Sequence, residues 1–201
     1  MIVVVDYGMG NLRSVQKGFE KVGARAVISR DIEEITSADK LVLPGVGAFP
    51  KCMENLGELN LIGPVVEFVR SGKPFLGICL GLQLLFDESE EFGRHEGLKI
   101  IRGKVREFDR NMHLKIPHMG WNQVSFCKDV PIFDGIKDGS YFYFVHSFYV
   151  DPQDHRDIAA ETDYGIRFTC AVARDNVYAV QFHPEKSQEI GLRVLSNFGN
   201  L

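Results

Sequence analysis

A cysteine at position 79 stands between two glycines in Gly77-Ile78-Cys79-Leu80-Gly81, with an apolar run before it and an amphipathic one after. This is the spacing of a nucleophile elbow, G-x-S-x-G, with sulfur in place of the hydroxyl. A sharp strand-to-helix turn strains the backbone at the nucleophile, so its close neighbours must lack side chains. The turn lifts the sulfur above the sheet edge, and the partial positive charge of a helix N-terminus favours an anion there. The alternative for Cys79 is a structural thiol in a buried β–α turn.

A thiol nucleophile needs a base, and the base needs a third group to fix its tautomer and orientation. The stretch Val177–Gln181 reads as an apolar strand that runs into His183-Pro184-Glu185. Proline cannot continue a sheet's hydrogen bonding, so the strand must end here and release His183 and Glu185 together. Attack on an amide or ester carbonyl also needs donors for the developing oxyanion. The backbone N–H of Leu80 comes with the elbow. A second donor is expected from Leu43-Pro44-Gly45-Val46-Gly47, whose glycines permit close substrate approach, although P-G-V-G alone is also an ordinary turn.

Positioning these groups requires strands that end at one sheet edge. Apolar runs at Ile2–Val5, Arg25–Ser29, Lys40–Leu43 and Pro74–Ile78 alternate with amphipathic stretches, which predicts a parallel sheet covered by helices. Helices are expected over Leu12–Val22, Leu61–Arg70 and Leu80–Asp87, the first with Asn11 as N-cap and Gly23 as its stop. The second half is strand-rich: Lys99–Ile101, Val105–Phe108, Asn122–Phe126, Tyr141–Val150, Phe168–Ala173 and Val177–Gln181, closed by a helix over Gln188–Phe198. The expected fold is α/β, a three-layer sandwich with a mostly parallel central sheet. No Pro-, Gly- or Ser-rich linker divides the chain, so residues 1–201 are expected to form one domain.

Composition narrows the partners. A formal net charge of −4 argues against nucleic acid. The densest basic stretch, Arg102 to Lys115, carries five Lys or Arg in fourteen residues but is diluted by Glu107 and Asp109, and reads as surface. No run approaches the roughly 18 apolar residues of a membrane span, and no signal peptide is legible. Cys52, Cys79, Cys127 and Cys170 form no C-x-x-C pair or metal-like cluster, so a reducing cytoplasm and no metal are expected.

The motifs GICLGLQLL, LPGVGAF and FHPEKS resemble those of the class I, triad-type glutamine amidotransferases, through essentially the whole chain. Within that class, DYGMGNL, PHMGWN, FVHS and the Lys186-Ser187 pair are similar to the glutaminase subunits of imidazole glycerol phosphate synthase. The resemblance implies catalysis by Cys79, His183 and Glu185, with an oxyanion hole from the Val46 and Leu80 N–H groups. It implies glutamine contacts from Gly47, Gln83, His146 and Ser147, the last two with core roles as the alternative. It also implies a heterodimer with a separate (β/α)8 cyclase subunit that receives ammonia, since 201 residues leave no room for a fused synthase. Trp121, Tyr143 and Lys186 are the interface candidates, with core aromatics and a surface lysine as the alternative. No cofactor is implied. An amidotransferase subunit of another pathway, a stand-alone γ-glutamyl hydrolase and a silent scaffold remain as competing readings.

The opening Val5-Asp6-Tyr7-Gly8-Met9-Gly10 resembles the start of a dinucleotide fingerprint. A third glycine would fall at Arg13, where helix must pack on strand and a long charged side chain is a poor substitute. The segment is therefore expected to be a tight β–α turn beside Cys79.

Overall fold

Four consecutive aliphatic residues make the first strand, β1 (Ile2–Val5), and all four are buried because both faces of the sheet are covered. Ile2 and Val4 enter the core on one face, Val3 and Val5 that on the other, the period-two alternation of a strand. The computed structural model describes residues 1–109, 111 and 114–201. Arg110, counted in the basic stretch, lies outside the described residues.

Strand β1 pairs in parallel with β2 (Ala26–Ser29) and β3 (Lys40–Gly45). Then β3 pairs with β4 (Phe75–Cys79), and β4 with the late strand β14 (Val177–Val180), again in parallel. Helices α1 (Leu12–Lys21) and α6 (Gln188–Gly199) cover one face, with the rings of Phe19 and Phe198 at 6.1 Å. On the other face lie α2 (Ile32–Ser37), α3 (Phe49–Glu58) and α4 (Ile62–Arg70), which bury Ile35, Phe49, Leu56 and Phe68. Each such side chain contributes roughly 1.5–3 kcal/mol by leaving water. The layers are helix, sheet, helix, as the alternating pattern predicts.

The sheet continues beyond β14 through β13 (Arg167–Arg174), β11 (Phe148–Pro152) and β7 (Gly103–Glu107), largely antiparallel, to the short β5 (Glu88–Ser89) and β6 (His95–Glu96). Off this path, β12 (Ile158–Asp163) pairs with β13 and with β9 (Ser125–Phe126). A separate two-stranded sheet joins β8 (His118–Gln123) to β10 (Tyr141–His146).

Several expectations shift. The expected run Tyr141–Val150 breaks at Ser147, because β10 serves the small sheet and β11 the large one. The helix after the elbow, α5, covers only Leu80–Gln83. Beyond it the carbonyls of Leu84, Leu85 and Phe86 accept the N–H groups of Leu98, Ile100 and Lys99, which removes them from helical pairing and leaves Lys99–Ile101 outside any strand. The side chain of Asn11 makes no cap; its carbonyl accepts from Ser14 and Val15 instead. The short helices α2 and α3 and strand β12 lie beyond what periodicity revealed. All four cysteines are free thiols. Among the described residues no helix is long and apolar enough to cross a membrane.

Candidate active site

Strand β4 ends on Cys79 with φ 56° and ψ −110°, a backbone region that L residues rarely adopt. Register places Gly45 of β3 beside Cys79, and Val180 of β14 beside Ile78. The ends of three parallel strands thus meet at one sheet edge, where ligands bind in open α/β sheets. The glycine requirement is steric: a Cβ on Gly81 would lie 1.8 Å from the carbonyl oxygen of Leu43.

Past β14 the chain keeps one anchor, as His183 N–H donates to the Tyr143 carbonyl at 2.9 Å. Pro184–Lys186 then turn as a single 3-10 helix, which brings Glu185 back to its neighbour. The Nδ1 of His183 lies 2.8 Å from Glu185 Oε1, and the two side chains are 2% and 1% exposed. Burial by itself pushes the His183 imidazole toward neutrality. Hydrogen bonding and charge from Cys79 and Glu185 outweigh it and raise the group from 6.5 to about 10. The ring therefore holds its proton at neutral pH, between a sulfur and a carboxylate. Its other nitrogen, Nε2, is buried as well.

That cleft has a volume of about 300 Å³, and Val46, Gly47, Cys79, Leu80, Gln83 and His183 line it together. A model of the class-I glutamine amidotransferase family matches residues 3–200. The chain belongs to that family. It is 59% identical to the imidazole glycerol phosphate synthase subunit HisH of Syntrophotalea carbinolica, with the whole of both chains covered. It is 52% identical to the subunit of that name from Geobacter sulfurreducens, over 100% of this chain and 98% of that one. Among solved structures, one described as a glutamine amidotransferase superposes with a TM-score of 0.77 at 18% identity, covering both chains fully. The structure of PurLQS from Thermotoga maritima gives 0.75 at 16%, over 99% of this chain and 97% of the matched one. At such identities these two speak for the fold alone.

The amidotransferase cleft also receives Ser147 and His146, yet the His146 ring is spent on the protein. Its Nδ1 lies 2.8 Å from the Phe148 carbonyl and its Nε2 2.8 Å from His118 Nδ1. Burial lowers His146 to about 3 and His118 to about 4, so both rings are neutral. This histidine therefore supports the wall, and Ser147 lines the cleft beside it. Gln83 is similarly engaged, as its Nε2 donates to the Phe148 carbonyl at 3.1 Å and to Gln181 Oε1 at 3.0 Å.

Trp121 and Tyr143 pair across β8 and β10, ring centroids 6.2 Å apart, and the Lys186 ammonium lies 5.8 Å from the Tyr143 ring. Trp121 is 46% exposed, so the three form a surface cluster, one backbone hydrogen bond from His183. The opening loop packs beside the site, with Tyr7 Oη donating to the Pro44 carbonyl at 2.8 Å. Asp31 caps α2 by accepting from Glu34 N–H at 3.0 Å. Two groups near Cys79 and the cleft were not singled out by sequence reasoning. Glu91 lines the cleft with its carboxylate on Phe49 N–H at 2.7 Å, and burial raises its pKa. Gln181 reaches Cys79. No motif flags Glu91, but Gln181 stands two residues before His183, a spacing that puts it on the same side of an extended chain.

Proposed function

We propose that this chain is the glutaminase subunit of an imidazole glycerol phosphate synthase, working in the cytoplasm as a heterodimer with a (β/α)8 cyclase subunit. The observation that carries the chemistry is the buried His183–Glu185 pair, 2.8 Å apart, at the strand edge where Cys79 holds its strained turn. Full-length identity of 59% to a HisH subunit supports the pathway.

The Cys79 sulfur attacks the side-chain carbonyl carbon of L-glutamine. The oxyanion that forms is met by the N–H groups of Val46 and Leu80, at the ends of adjacent strands. Imidazolium His183 gives its proton to the amide nitrogen, and the carbon–nitrogen bond breaks to release ammonia and leave a γ-glutamyl thioester. Neutral His183, held by Glu185, then takes a proton from water, which attacks the thioester and frees glutamate and the thiol. Gly47, Gln83 and the backbone of residues 146–147 bound the cleft around the substrate. The Glu91 carboxylate suits an α-ammonium group. Ammonia passes across the Trp121, Tyr143 and Lys186 surface to the cyclase, where it reacts with a phosphoribulosyl-formimino nucleotide, which is split into imidazole glycerol phosphate and an aminoimidazole carboxamide ribonucleotide.

Glutamate release from glutamine, measured for the chain alone and with the cyclase partner and its nucleotide ligand, tests this directly. Turnover strongly stimulated by that partner and lost in Cys79→Ala is expected. Turnover that ignores the partner refutes the pathway, and turnover retained in Cys79→Ala refutes the mechanism.

A further inference from the structure

Beside Cys79 lies a buried pair of amides, Gln181 and Gln83, the second of which also lines the cleft. Gln181 is fully buried and does not line the cleft, yet its Nε2 lies 3.6 Å from Cys79 Sγ. Its orientation is set by its neighbour. Gln83 Nε2 donates to Gln181 Oε1 at 3.0 Å and to the Phe148 carbonyl at 3.1 Å. Because the Phe148 oxygen can only accept, the Gln83 group beside it must be the NH2, and Gln181 must turn its oxygen to Gln83. That leaves the Gln181 NH2 facing sulfur. The same Phe148 oxygen takes the Nδ1–H of His146, so the anchor is itself braced. The sulfur also lies 3.9 Å from the Val145 carbonyl, an acceptor suited to the thiol form.

We propose that Gln181 is a positioning residue that holds the Cys79 sulfur through an amide N–H, with Gln83 fixing the direction of that amide. An N–H donor stabilises a thiolate more than a thiol, since hydrogen bonds to a charged acceptor are the stronger ones. It also restrains the sulfur, so that attack proceeds along one line. The proposal rests on the reading of Cys79 as the nucleophile. It assigns to Gln83 a second task besides bounding the substrate.

The test uses two near-isosteric variants that lack the donors, Gln181→Met and Gln83→Met, in the full chain. Alkylation of Cys79 by iodoacetamide is followed by peptide mass spectrometry across pH, alongside glutamine turnover with the cyclase subunit. For Gln181→Met the pH of half-maximal alkylation should rise by about one unit, and kcat should fall about tenfold to a hundredfold with KM within a factor of two. Gln83→Met, which frees the amide to turn over, should move the alkylation profile in the same direction by less. If Gln181→Met folds and leaves the alkylation profile unmoved, the proposal is overturned. Should Gln181→Met not fold, an unmoved profile in Gln83→Met overturns it instead. Alkylation reports on the sulfur whatever the substrate. A wild-type chain that fails to hydrolyse glutamine therefore defeats the glutaminase reading, while the profiles still decide the role of Gln181.

Discussion

Glu185 Oε1 sits 2.8 Å from His183 Nδ1 in a pocket that leaves the two side chains 2% and 1% exposed. The pair is coupled to the proton balance of the whole fold. His183 is raised from 6.5 to about 10, so the folded chain holds this proton more tightly than the unfolded one. The resulting stabilisation is fully present below pH 6.5 and is lost as pH rises through 10. Thermal melts of wild type between pH 6 and 10.5 should show Tm falling across that window. In Glu185→Gln the decline should be shallower, and kcat for glutamine should drop roughly a hundredfold or more at pH 7.5.

A second prediction concerns backbone strain at the elbow. With φ at 56° and ψ at −110°, Cys79 occupies a conformation that glycine tolerates and alanine does not. Cys79→Ala and Cys79→Gly should both abolish turnover. Calorimetry should find the glycine variant more stable than the alanine variant by about 1–2 kcal/mol, the reverse of their usual order. Equal melting temperatures would mean that the surrounding strands do not impose this geometry.

The neighbouring Gly81 has a different constraint. Its added Cβ would collide with backbone, the Leu43 carbonyl at 1.8 Å, and no rotamer change relieves that contact. Gly81→Ala should therefore cost about 3 kcal/mol or more in urea unfolding, with turnover lost as the β3–α5 contact opens.

The hydrogen-bonded pair of His118 and the cleft-lining His146 predicts acid sensitivity. His118 and His146 are held neutral, at about 4 and about 3, against 6.5 for an exposed ring. The unfolded chain gains protons first, so stability should be lost as pH falls from 6.5 toward these values, by a few kcal/mol in total. His118 stacks on Tyr164 at 4.1 Å and on Phe144 at 4.9 Å, a slot that accepts phenylalanine. Chemical denaturation at pH 7 and pH 4.5 should show a smaller loss for His118→Phe than for wild type.

The surface cluster carries the last prediction. Trp121→Ala should weaken binding of the cyclase subunit by about 2 kcal/mol in titration calorimetry and change the Tm of the isolated chain little, since the ring is 46% exposed. Undiminished affinity would place the partner elsewhere.

Local sequence order determined a good part of this. Four apolar residues in a row made β1, spacings of three and four made α1, α4 and α6, and Gly77-x-Cys79-x-Gly81 marked a turn that only small residues can form. The His183-Pro184-Glu185 pairing was legible too, because its members are neighbours in the chain and proline ends the strand between them. These signals are local, and the physics that produces them acts over a few residues. What tertiary structure alone decided depends on register between distant strands. Gln181 and Cys79 are 102 residues apart, and they meet because β14 pairs with β4 one step before each chain turns. The length of α5 was likewise settled from afar, by residues 98–100 capturing the carbonyls that would have continued it. Periodicity records which face a residue buries; it holds no information on which distant group will satisfy its hydrogen bonds. That is why the Cys79 turn and the His183–Glu185 pair could be read from the sequence, and the amides beside the sulfur could not.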